Sequence, residues 1–216
     1  MLQIFRSKYE WIFDYTIYGE RHSGTNFLES CIKQQFGLDI TYFYGFKHFF
    51  GWTKPEILTY KARHTLFLGI TRHPYDWILA LQRHPHHIPK ENLKFPDFLL
   101  NEWYSVRGKI ELLEDRNYTN KQRYKNIFEL RKEKCIYLSE ILPVIINNYV
   151  LMSYDDLKYN HYQTMNIIGN RFNLKTIGTP PPFYGKDPIE LSPEIKDIID
   201  NNIDWKVEAT LGYFPK

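Results

Sequence analysis

The chain is short of the residues that mark disulfide frameworks, metal modules and membrane spans. It has only 2 cysteines and 3 methionines in 216 residues. Cys31 and Cys135 lie far apart, with neither a CxxC pair nor the Cys/His spacing of a zinc site, so a stapled scaffold and a zinc module are both excluded. That usage points to a reducing compartment. No apolar run approaches the about 18 residues that a spanning helix needs, and residues 1–10 lack the apolar stretch of a signal peptide. There is no internal repeat and no low-complexity linker. Neither charge sign dominates: 28 Lys and Arg stand against 25 Asp and Glu, a net +3, with the cations scattered. Such a balance suits a small anionic ligand in one cleft better than a nucleic-acid groove. The expectation is a soluble, cytoplasmic protein with no membrane or nucleic-acid partner. Its oligomeric state is not legible.

What is present is ample core material. Hydrophobic residues make up 43% of the chain and aromatics 17%, including 17 Tyr and 15 Phe. That is enough for a single α/β domain over residues 1–216. Residues 14–18 alternate as a short strand, and a helix beginning near Ser23 or Gly24 buries Phe27, Leu28, Cys31, Ile32 and Phe36, with Gly37 as its C-terminal cap. Segment 41–50, aromatic and β-prone, reads as the second strand. Thr65–Thr71 is a nearly continuous apolar run, the pattern of a buried parallel strand. Pro74 opens a helix through Leu81 with Asp76 in its first turn. Residues 82–120 are irregular, 121–142 read as charged surface helices, 149–154 as a strand, and 160–172 as a helix. Proline-rich 179–186 is irregular, and Ser192-Pro193 starts a last helix running towards Gly212. Strands alternating with helices imply βαβ units and a three-layer α/β/α sandwich with a central parallel sheet.

Chemistry concentrates in Tyr18-Gly19-Glu20-Arg21-His22-Ser23-Gly24-Thr25-Asn26-Phe27-Leu28. A strand leads into it and a helix leads out. Unpaired N–H groups at a helix start carry partial positive charge and hold anions. Arg21, Ser23, Thr25 and Asn26 add donors. Gly19 and Gly24 have Walker A spacing, but Thr25 stands where that loop has its lysine. Arg72 follows the buried strand, on the rim where open α/β sheets bind ligands, and its fork of donors suits a phosphate. Lys47 and His48 end the aromatic segment on the same rim.

Together these segments resemble the sulfotransferase family. GERHSGTNFL is similar to its 5′-phosphosulfate loop, and GITRHPYDWILAL to its 3′-phosphate motif. The stretch Tyr149-Val-Leu-Met-Ser-Tyr-Asp-Asp-Leu157 is similar to its late strand, and Leu211-Gly-Tyr213 to its end. The elements come in family order over nearly the whole chain. The resemblance implies a P-loop NTPase-like fold of sulfotransferase topology. It implies 3′-phosphoadenosine 5′-phosphosulfate as donor, adenosine 3′,5′-bisphosphate as product, and no metal. The acceptor would be a hydroxyl or amine of a small molecule or glycan. Arg21, His22, Ser23, Gly24, Thr25, Asn26 and Arg72 would bind the donor, with Lys186 closing over the nucleotide from Tyr184-Gly185-Lys186. His48 would be the base, Lys47 a second stabiliser of the sulfonyl oxygens, and His22 with Arg21 the cationic donors to the leaving phosphate.

The chain departs from the pattern at two positions. His22 replaces the loop lysine, and Ala80 replaces the serine expected eight residues after Arg72. Two alternatives stay open: a P-loop kinase or NTPase, and a nucleotide-binding relative without transfer activity. His84, His86 and His87 form an imidazole cluster that reads as an acceptor or gating loop rather than a metal site.

Overall fold

The computed structural model describes residues 1–6, 11–50, 54–185 and 190–216. The strands are β1 (Gln3–Arg6), β2 (Asp14–Gly19), β3 (Asp39–Ile40), β4 (Thr65–Thr71), β5 (Val106–Arg107), β6 (Ile110–Glu111) and β7 (Asn148–Ser153). The helices are α1 (Thr25–Phe36), α2 (Pro74–Arg83), α3 (Asp97–Leu100), α4 (Ile127–Ile136), α5 (Leu142–Ile145), α6 (Tyr154–Phe172), α7 (Pro193–Asn202) and α8 (Trp205–Thr210). The chain is mixed α/β and divides into two compact units. One comprises Met1–Arg72 and Leu138–Lys186, the other His73–Tyr137 and Asp187–Lys216.

The first unit holds a five-stranded sheet of order β1-β7-β4-β2-β3. β4 is buried along its whole length, which is why its sequence carries no polar alternation. β3, β2, β4 and β7 are mutually parallel, but β1 pairs antiparallel with β7. The sheet is therefore mixed, not wholly parallel as expected. β1 is only 4 residues long, too short to announce itself by periodicity, and it serves to pair the outer edge of β7.

Alternate residues of three strands face one core. Tyr15 and Ile17, Leu66, Leu68 and Ile70, and Val150 and Met152 meet Leu28, Cys31, Ile32 and Phe36 of α1 and Leu157, Met165, Ile168 and Phe172 of α6. Burial pushes the Cys31 thiol up to about 12, so it behaves as a core residue and not a nucleophile. α1 stops at Gly37, left-handed at φ 67, whose N–H donates to Lys33 O at 3.0 Å, the expected cap. α6 starts directly after β7, earlier than its sequence suggests. Ser153 and Asp156 form a reciprocal capping box there, and the helix kinks at Asn160, where φ is −135.

On the other face of the sheet, Tyr18 packs 5.9 Å from Phe50 and Phe67 lies 5.0 Å from Tyr44 (ring centroids). This corrects the second strand. Beyond the two residues of β3, segment 41–50 is a series of turns, closed by Gly45 N donating to Tyr42 O and Phe49 N to Phe46 O. Gly45 at φ 101 and Phe50 at φ 56 break any extended run. Tyr44, Phe49 and Phe50 are buried, so the aromatic density covers a sheet face rather than building a strand.

The second unit corrects another expectation. Residues 121–126 are not helical, and α4 is not a surface helix: Ile127, Phe128, Leu130, Arg131, Lys134 and Cys135 are all buried. Its two buried cations have partners remote in sequence. Arg131 donates to Glu208 through Nε (2.5 Å) and Nη2 (2.7 Å). Burial works against that charge, but the Glu208 carboxylate outweighs it and holds the Arg131 pKa above its ordinary value. Lys134 donates to Asp115 at 2.6 Å, and the same carboxylate accepts from Ser105 at 2.5 Å. α7 begins as expected, with the Ser192 hydroxyl accepting from Ile195 N and Pro193 in the first turn. Among the described residues, no helix is long and apolar enough to cross a membrane.

Candidate functional site

β2, β4 and β7 run parallel, so their carboxyl ends share one rim. The register pairs Gly19 with Ile70 and Thr71 with Ser153. The loop into α1, Arg72 and the first turn of α6 all leave from this rim.

The loop is a tight turn. Ser23 N (3.1 Å) and Ser23 Oγ (2.5 Å) both donate to Glu20 O. His22 (φ 63) and Gly24 (φ 98) are left-handed, the backbone alternation that turns successive N–H groups into one concavity. At Gly19 a Cβ would meet Ile70 Cγ2 at 2.5 Å and Ile70 O at 2.9 Å, so only glycine lets β2 leave the sheet flush against β4. α1 then begins with no side chain capping its N-terminus and no acidic residue in its first turn. No carboxylate of that turn offsets its dipole.

Arg72 reaches this loop. Its Nη1 donates to His22 O at 3.0 Å, and its guanidinium carbon sits 4.2 Å from the centroid of the Tyr154 ring. Although not on a strand, Lys47 and His48 also arrive here. Gly19 N donates to Lys47 O at 3.0 Å, and His48 Nδ1 donates to Gly19 O at 2.8 Å. A carbonyl can only accept, so neutral His48 carries its lone pair on Nε2. Lys47 Nζ donates to Asn26 Oδ1 at 2.5 Å and lies 3.5 Å from Glu29 Oε2. An ammonium therefore stands at the first turn of α1, although the loop itself has no lysine.

Arg21 is placed differently. It is 2% exposed, donates through Nη1 to Glu20 Oε2 at 3.1 Å and lies 5.8 Å from the Phe49 ring. Its charge is engaged inside the fold. Thr25 is buried at the start of α1, and Asn26 is exposed. Lys186 lies outside the described residues. Ala80 sits on α2, and the only side chain it offers is a methyl. In the histidine cluster, the His86 and His87 rings lie 4.0 Å apart and His87 Nδ1 donates to Val106 O at 2.9 Å. Among the described residues, no three His, Cys, Asp or Glu side chains converge as metal ligands.

Sequence reasoning missed an aromatic trio beside the loop. Phe183 meets Phe27 edge-on at 4.8 Å and Tyr154 at 5.6 Å, while neighbouring Tyr184 is 89% exposed. The local sequence carries no signal for it: Phe27 is half-buried at the edge of the apolar face of α1, and its partners come from segments more than 120 residues away. A separate surface groove of about 730 Å³ in the second unit is lined by Lys125, Glu129, Lys132, Glu133, Trp205 and Lys206 among others. It contains none of the candidate residues. Compared with protein-family models and with curated proteins, the chain matches none.

Proposed function

We propose that this rim binds 3′-phosphoadenosine 5′-phosphosulfate and that the protein is a sulfotransferase with a three-layer, P-loop-like arrangement. One observation carries the reading. Two cations from different elements, Arg72 after β4 and Lys47 after β3, meet a glycine-bounded helix start, at His22 O and Asn26 Oδ1 respectively. Such a pair suits a ligand with two separated anionic groups.

The residues fit that donor. The backbone N–H groups of Gly24 and Thr25 at the start of α1 and Lys47 would hold the 5′ end, Arg72 the 3′-phosphate, and the faces of Phe27, Tyr154 and Phe183 the base. When bound, the donor supplies the sulfonyl group that passes to a hydroxyl or amine of a small molecule or glycan. His48, with Nε2 as acceptor, takes the proton from that group. Lys47 and the His22 side chain stabilise charge that develops at the loop.

A kinase or NTPase reading lacks the loop lysine that reaches β- and γ-phosphates. The reading as a nucleotide binder without transfer activity rests on Arg21, whose guanidinium is buried and paired with Glu20. Calorimetric titration with adenosine 3′,5′-bisphosphate in the absence of magnesium tests the assignment. Binding is expected, and an exclusive preference for ATP with magnesium would overturn it. Transfer of labelled sulfonyl to an acceptor panel then separates the enzyme from the inactive binder.

A further inference from the structure

The first unit carries an exposed aromatic face at the amino-terminal ends of β2 and β4, the rim opposite the loop at 19–25. Trp11 is 74% exposed, Phe13 68%, Leu58 70% and Tyr60 67%. The Phe13 and Tyr60 rings are held in place through His64. Phe13 N donates to His64 O and His64 Nδ1 to Trp11 O, each at 2.9 Å. The His64 ring stacks on Phe13 at 5.1 Å and meets Tyr60 at 5.3 Å. Cations frame the rings: the Arg63 guanidinium lies 5.4 Å from the Tyr60 centroid, and Lys61 Nζ 5.2 Å from that of Phe43. Three exposed cations, Lys54, Lys61 and Arg63, stand against the carboxylates of Asp14, which accepts from Thr65 at 2.6 Å, of exposed Asp39 beside it in β3, and of half-buried Glu56.

We propose that this face docks on an anionic lipid bilayer, with Trp11, Phe13, Leu58 and Tyr60 entering the headgroup region and Lys54, Lys61 and Arg63 pairing with acidic lipids. Interspersed aromatic, aliphatic and basic side chains match the apolar and negative layers of such an interface. A second copy of the chain fits less well, because face-to-face contact brings like cations together. A sugar fits less well too: Phe13 and Leu58 offer it no hydrogen bond, and the nearby Asp14 carboxylate is already engaged. Docking of this kind needs no spanning segment, so the want of one in the sequence does not bear on it. The opposite rim stays open to its ligand, and the proposal does not depend on what that ligand is.

Co-sedimentation with phosphatidylcholine vesicles, with and without phosphatidylserine, is the test. The expected result is binding to the serine-containing vesicles that weakens with salt, and a loss of roughly ten-fold or more in the doubly charge-reversed K61E/R63E. Phe13→Ser with Tyr60→Ser is expected to lose a similar factor. All four positions lie outside the core, and unchanged thermal unfolding of each variant confirms that the fold is kept. No sedimentation of the parent protein overturns the proposal, as does equal binding to neutral vesicles or undiminished binding by both variants. A concentration-dependent dimer without lipid that the Phe13/Tyr60 variant abolishes would assign the face to self-association instead.

Discussion

Arg72 and His48 donate to two carbonyls of the same loop, those of His22 and Gly19, and their replacement is expected to fail differently. Arg72→Ala removes a charged donor. It is expected to weaken bisphosphate binding by about 1.5–3 kcal/mol in a calorimetric titration; unchanged affinity would take Arg72 out of the site. His48→Ala leaves those charges in place. It is expected to cut turnover roughly 100-fold or more while donor affinity changes little, read from kcat against the bisphosphate Kd. Equal losses in both would make His48 a structural strut for Gly19. Gly24→Ala adds a Cβ 3.0 Å from Tyr154 Cδ2 at a φ of 98. It is expected to cost about 1–2 kcal/mol in chemical denaturation. Arg72 could be placed on the loop's rim because it directly follows β4, whereas Lys47 and His48 were nominated as the end of a strand that segment 41–50 does not form, and turns bring them to Gly19 instead. Phe27, Tyr154 and Phe183 were not legible, because what joins them is packing between segments far apart in the chain.

At the scale of elements, legibility followed how local the cause was. β4 declared itself by burial on both faces, α1 by its Gly37 cap, and α7 by Ser192 and Pro193. Segment 41–50 did not, because its aromatics answer to a sheet face that the local pattern cannot reveal. α4 was misjudged for the same reason: Arg131 and Lys134 look solvated until Glu208 and Asp115 are seen beside them. The start of α4 is nonetheless set locally. The Asn126 side chain accepts from Phe128 N at 3.1 Å and Glu129 N at 3.0 Å. Asn126→Ala is therefore expected to destabilise by about 1 kcal/mol in urea unfolding, and no change would mean that packing alone fixes this end.

At the scale of the whole molecule, stability should respond to mild acid through His73. The residue is buried, its Nε2 donates to Phe214 O at 3.0 Å, and Nδ1 is enclosed without a partner. Burial pulls its pKa below the ordinary histidine value, against the opposing effect of the Phe214 hydrogen bond. The folded state thus keeps His73 neutral while the unfolded chain takes up a proton near pH ~6.5. Stability is full above that pH and falls as pH drops towards the lower folded value. His73→Gln should flatten that decline in denaturant midpoints measured from neutral to mildly acid pH; an unchanged slope would place its cause elsewhere. The strand order has a further consequence, for biosynthesis. β7 lies between β1 and β4, yet it is made long after either. At about 5–20 residues per second of synthesis, the inner edge of β4 waits on the order of seconds with its amides and carbonyls unpaired. A chain ended before Asn148 would keep that edge open to pairing with other strands, leaving an aggregation-prone sheet rather than a smaller folded protein.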